Sequence, residues 1–102
     1  MRIIAKRPIT EFCARHPAAN GAMLLWWKTV EAARWENFAQ LRQDFNAADF
    51  VGDGRVVFDI GGNKYRIVAR VSFAPHYRVL IKFVGTHAHY DKIDARTVNP
   101  NE

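Results

Sequence analysis

Arg55-Val56-Val57-Phe58-Asp59-Ile60-Gly61-Gly62-Asn63-Lys64-Tyr65-Arg66-Ile67-Val68-Ala69-Arg70-Val71-Ser72 reads as two alternating runs joined by a glycine-rich turn. Side chains alternate across a strand, so Tyr65, Ile67, Ala69, Val71 and Phe73 share one face while Lys64, Arg66, Arg70 and Ser72 share the other. In the first run Val56, Phe58 and Ile60 point inward, and Arg55, Val57 and Asp59 outward. A two-residue Gly62-Asn63 loop is a strong hairpin signal. It sets Asp59 opposite Arg66, Val57 opposite Val68 and Arg55 opposite Arg70, and the inward sets match in the same register. The hairpin therefore has one oily face and one cationic face.

The rest of the chain extends this unit. After a turn near Ala74-Pro75-His76, residues 77–86 form a third strand, with Tyr77, Val79, Ile81 and Phe83 facing the core. Arg78 and Lys82 join the basic face, with Leu80 and Val84 between them. That strand runs into Gly85-Thr86-His87-Ala88-His89-Tyr90-Asp91-Lys92. Upstream, residues 2–6 suit a short strand and 9–16 a helix closed by His16-Pro17. Residues 20–34 carry the strongest helical pattern, with Met23, Trp27, Val30 and Arg34 in one stripe that Leu24, Trp26 and Ala33 widen. Of the adjacent Trp26 and Trp27, one belongs in the core. A short helix over 36–44 lines up Phe38, Leu41 and Phe45, and 46–54 reads as a connecting loop. The expectation is an α+β domain of two layers: an antiparallel sheet of about four strands, with two to three helices packed on its oily face. Residues 1–94 form the single domain and 95–102 a flexible tail.

The chain of 102 residues has 15 Lys+Arg against 10 Asp+Glu, a net charge of +5. Between Arg55 and Lys92 stand seven basic and two acidic residues, leaving eight of each elsewhere, so the hairpin region carries the whole excess. Three of the four histidines lie there as well. A charge excess gathered this way favours a phosphate-rich partner. The single cysteine, Cys13, excludes an internal disulfide and a cysteine-only zinc site, and reads as a small buried apolar group. No supporting spacing joins His16, His76, His87 and His89 into a metal site. No apolar run approaches the roughly 20 residues of a membrane span, and no signal segment opens the chain. A cytoplasmic protein without membrane contact is expected.

Two blocks, Phe58-Asp59-Ile60-Gly61-Gly62-Asn63-Lys64-Tyr65-Arg66 and Phe83-Val84-Gly85-Thr86-His87-Ala88-His89-Tyr90-Asp91-Lys92-Ile93, resemble the HigB group of bacterial type II toxins, within the RelE-like superfamily. The resemblance extends over nearly the whole chain. It implies a RelE-like fold and an mRNA interferase that uses no cofactor and acts on message in the A site of the ribosome. It also implies neutralisation by a cognate HigA-like helix-turn-helix antitoxin. By position, Asn63, Arg66, His87, Tyr90 and Asp91 match the family pattern, with Lys82 and Lys92 as basic auxiliaries. His89 stands where the family more often has an acidic residue.

These residue types suit cleavage of RNA without metal. The ribose 2′-hydroxyl loses a proton and attacks the adjacent phosphate, the phosphorane charge is stabilised, and the leaving 5′-oxygen gains a proton. Histidine is the natural acid or base near neutral pH, and arginine forks onto phosphate oxygens. In this reading Arg66 clamps the phosphate, His87 is acid or base, Tyr90 positions the nucleotide, and Lys82 and Lys92 add positive charge. Asn63, Lys64, Arg70 and Arg78 bind RNA, and Asp59 and Asp91 support. Plainer roles stand beside these. Arg66 balances Asp59 across the hairpin, Tyr90 anchors the chain end, Asp91 caps the closing turn and Asn63 serves turn geometry. The alternative function is a module that holds RNA or ribosome without cutting. A third is a structural partner in a regulatory complex, docking through its helices. RNA-binding sheets usually expose aromatics for stacking, and the outward Lys64, Arg66, Val68, Arg70 and Ser72 suit phosphates better than bases.

Overall fold

The computed structural model describes residues 1–100; Asn101 and Glu102, the end of the expected tail, lie outside the described residues. The hairpin forms as β3 (Arg55–Ile60) and β4 (Tyr65–Ser72), with Asp59 opposite Arg66, Val57 opposite Val68 and Arg55 opposite Arg70. The register matches expectation but the loop does not. Ile60 pairs with Tyr65, so the connection is the four residues Gly61 to Lys64 rather than two. Gly61, Gly62 and Asn63 all take positive φ there (63°, 64° and 78°), which glycine adopts freely and asparagine tolerates.

Around this hairpin stand β1 (Arg2–Ile4), β2 (Asp49–Gly52) and β5 (Arg78–Thr86). The sheet has five strands in the order β1-β5-β4-β3-β2. Two features correct the expected antiparallel four-stranded sheet. β1 lies parallel to β5, and β2 occupies part of the expected 46–54 loop. Asp49-Phe50-Val51-Gly52 is too short to show alternation, and pairing with β3 makes it a strand. The helices are α1 (Arg7–Arg15), α2 (Asn20–Ala32), α3 (Phe38–Asp44) and the single turn α4 (His87–Tyr90), with a 3-10 turn over Pro17–Ala19. α1 starts two residues earlier than expected because Pro8 fits the first turn, where no N–H bond is lost. At the end of α2 the Met1 amino group donates to the Val30 and Glu31 carbonyls (3.3 and 3.1 Å), adding a donor to the last turn, where Val30 also accepts from the Ala33 N–H at 3.1 Å. No helix among the described residues is long and apolar enough to cross a membrane.

α1, α2 and α3 pack on the oily face. Phe12, Met23, Trp26, Val30 and Leu41 bury against Phe58, Ile67, Ala69, Val79 and Ile81. Trp26 and Phe45 both meet Phe58 edge-on, at 5.4 and 5.1 Å between ring centroids. Of the adjacent pair, Trp26 is thus the one in the core and Trp27 is half-buried. Leu24, expected to widen the buried stripe, is exposed instead.

The other face departs most from expectation. A β-bulge in β5 shifts the β4–β5 register between Val68 and Ala69, so that Val68 pairs with Phe83 while Ala69 pairs with Ile81. The extra residue reverses the alternation. Ile81 stays in the main core, whereas Phe83 moves to the opposite face, where it meets Val57, Val68 and Val98 in a second apolar cluster. The residues after Asp94 cross this face rather than fraying. Val98 is buried, and the Arg55 Nη1 donates to the carbonyls of Ala95 (3.2 Å) and Val98 (2.6 Å). Arg55 is accordingly buried, and the face expected to be open and basic is divided by the chain end. Val98→Asp places an unpaired carboxylate in this cluster and is expected to destabilise the fold by about 2–3 kcal/mol, read from the urea midpoint.

Candidate active site

β4 and β5 converge where α4 begins. Arg66 lies opposite Gly85 and Tyr65 opposite Thr86, and the His87 N–H continues the ladder by donating to the Lys64 carbonyl at 3.0 Å. Thr86 then caps α4, its Oγ1 accepting from the His89 N–H at 3.1 Å. The strand thus turns into one helical turn at the end of the hairpin, and His87, Tyr90 and Asp91 project beside Arg66.

Arg66 is the buried centre, only 7% exposed. Its Nε lies 3.0 Å from the Asp59 Oδ1, and its Nη1 donates to the carbonyls of Asn63 and Tyr65, both at 3.2 Å. The guanidinium carbon sits 5.6 Å from the centre of the Tyr90 ring, within cation–π range. Nη2 makes no hydrogen bond among the described residues and is not sealed from solvent. Arg66 therefore braces the turn and carries Tyr90 while leaving one nitrogen free to meet an anion. Burial pushes the Tyr90 phenol above its ordinary range. Arg66 pulls it back, and Asp49, Asp59 and Asp91 push it further up. The phenol keeps its proton, and with it a hydrogen-bond donor, at neutral pH.

His87 is half-exposed, with Nδ1 3.3 Å from the Asp91 Oδ2 one helical turn later. A carboxylate at Nδ1 fixes the ring and leaves Nε2 as the nitrogen available for proton transfer. Asp91 also donates its N–H to the His87 carbonyl at 3.1 Å, so it closes the turn and orients the imidazole together.

Not every expected site residue gathers here. Asn63 contributes its positive φ and a carbonyl to Arg66, and Lys64 its carbonyl to His87. Lys82 lies in the bulged stretch of β5, its Nζ donating to the Asn99 Oδ1 at 3.3 Å. Lys92 is exposed beyond α4. Arg70 stands four residues from Arg66, about 13 Å along the strand, beyond the Val57–Val68–Phe83 row that the chain end covers. There it is 3.7 Å from Asp53. Arg78 pairs with Ser72 and Arg2 at the far end of β5. Neither arginine joins the cluster, so the expected continuous basic face is two separate cationic areas.

Sequence reasoning missed two supports. Phe83 meets His89 edge-on at 5.0 Å and lies 6.4 Å from Tyr90, and so holds α4 against the sheet. Gly85 makes room for it, since a Cβ there would collide with the Phe83 Cζ. Gly85→Ala is expected to displace the ring and lower stability by about 1–3 kcal/mol through overpacking, with changed Tyr90 and His89 ring resonances in NMR spectra. The Gly85-Thr86 pair carried no signal of this because the bulge that turns Phe83 to this face is invisible in the alternation. Among the described residues, no group of three or more His, Cys, Asp or Glu side chains is placed to hold a metal.

The α+β sheet is compatible with a RelE-like fold, and the family model of the RelE-like toxic component of a toxin–antitoxin system matches residues 19–93, from the start of α2 to just past α4. The chain belongs to the HigB toxin family. No curated protein matches it.

Proposed function

We propose that this toxin is a metal-independent endoribonuclease that cuts mRNA and so blocks translation. The observation that carries the reading is that α4 brings a half-exposed His87, oriented by Asp91, and the Tyr90 ring that Arg66 packs against to the same end of the hairpin. His87 exchanges protons with the reacting oxygens, Arg66 Nη2 meets a phosphate oxygen, and Tyr90 offers its phenol proton or its ring to the nucleotide. A positioned donor on the developing charge contributes about 3–4 kcal/mol to lowering the barrier. Lys82 and Lys92 act through longer-range positive charge. The substrate is cytoplasmic message, met in the A site of the ribosome. The products are a 2′,3′-cyclic phosphate and a 5′-hydroxyl.

The test maps mRNA 5′ ends in a translation extract given wild type or His87→Ala. New discrete ends with wild type that vanish with the variant support the nuclease. An equal block of translation by both proteins, with intact message, identifies a binding module instead.

A further inference from the structure

β5 changes neighbours along its length. β1 pairs with it only from Arg78 to Leu80, yet β5 continues to Thr86, so its last six residues form an outer edge of the sheet. The ladder to β4 decides which groups face out. His87 donates to Lys64 across that ladder, and pairs alternate back from it through Thr86, Gly85 and Val84. The main-chain groups of Val84 and Thr86 therefore point away from β4. The Thr86 carbonyl is taken up as the N-cap acceptor of α4; among the described residues no turn or loop backbone bond engages the Thr86 N–H or the Val84 N–H and carbonyl. Unpaired groups of this kind are a template for another strand.

A groove runs beside this edge, with Pro8, Glu11 and Arg15 of α1 on one wall and Lys82, Val98 and Asn99 on the other. Arg7 is neutralised by Glu11 at 2.7 Å. Arg15 has no ion pair among the described residues and Lys82 bonds only a neutral amide, so both walls keep an uncompensated cation. Of these walls, α1 and residues 98–99 lie outside residues 19–93, the span matched by the family, and Lys82 lies inside it.

We infer that this edge docks an extended, acid-bearing segment of the partner antitoxin as the next strand of the sheet. Main-chain bonds to Val84 and Thr86 hold the strand, and acidic side chains facing Arg15 and Lys82 set its register. His89 lines the same groove, so a strand seated there lies against α4 and beside the candidate active site.

Residue-resolved amide hydrogen exchange, on the chain alone and on the chain co-purified with its antitoxin, tests this. The Val84 and Thr86 amides exchange fast in the free chain and are expected to slow at least tenfold in the complex. Val84→Pro removes an outward N–H at an edge position, where proline is tolerated. It and Arg15→Glu are each expected to raise the Kd by about tenfold, with circular dichroism reporting retained fold. Where Val84→Pro disturbs the fold, the exchange data and Arg15→Glu decide. A complex in which both amides exchange as in the free chain, an unchanged Kd for Arg15→Glu, or no complex at all overturns the inference, whatever the status of the nuclease.

Discussion

His87→Ala is expected to lower RNA cleavage by about 10²- to 10⁴-fold, the range for loss of a positioned proton-transfer group, while leaving the thermal midpoint unchanged. The separation is possible because the His87 side chain is 46% exposed and its one side-chain partner among the described residues is Asp91, also on the surface. A cleavage assay with purified protein, beside a melting curve, checks both halves. Asp91→Ala is expected to give a smaller loss, since it frees the imidazole without removing it. Arg66 offers no such separation. Its removal strands Asp59 and takes support from the turn carbonyls and the Tyr90 ring together. Cleavage lost in an Arg66 variant is interpretable only where folding is shown to be intact.

The second large effect is on stability. Trp26→Ala removes a side chain 1% exposed that packs edge-on against Phe58 beneath the centre of the sheet. Truncations of this kind cost about 3–5 kcal/mol, a large part of the roughly 5–15 kcal/mol typical of a whole domain. Urea unfolding is expected to show a much lower midpoint or no folded baseline. Trp26→Phe is expected to cost far less than the alanine variant. The indole Nε1–H is buried without a hydrogen-bond partner among the described residues, so the phenyl ring gives up some contact but also an unsatisfied donor.

The β3–β4 hairpin was legible because period-two alternation and a Gly-Gly-Asn turn act over neighbouring residues, and the Asp59–Arg66 and Val57–Val68 pairs follow from that register alone. The core helix was legible for the same kind of reason, though a stripe drawn from spacing included Leu24 on its exposed margin. Three features depend on contacts distant in sequence and left no local trace. β2 is a strand only through β3. The bulge in β5 sends Phe83 from the expected core to the site face, a reversal that composition does not encode. The chain end, polar and proline-bearing, looks unstructured until Arg55 binds its carbonyls and Val98 covers Val57 and Val68. That Arg66, His87, Tyr90 and Asp91 gather at one end of the sheet was legible because they flank a turn and a strand end that pair. Arg70 and Arg78 were grouped with them by face alone, which says nothing about position along the strand.

The most direct measurement uses a defined RNA carrying a single 2′-deoxy substitution at the mapped cut site, incubated with the toxin under the conditions that cut the all-ribose strand. Cleavage at that linkage is expected to be abolished, while a cyclic phosphate forms on the unsubstituted RNA. Continued cutting at the deoxy linkage would contradict the proposed chemistry, because attack by the neighbouring hydroxyl could then not be the reaction.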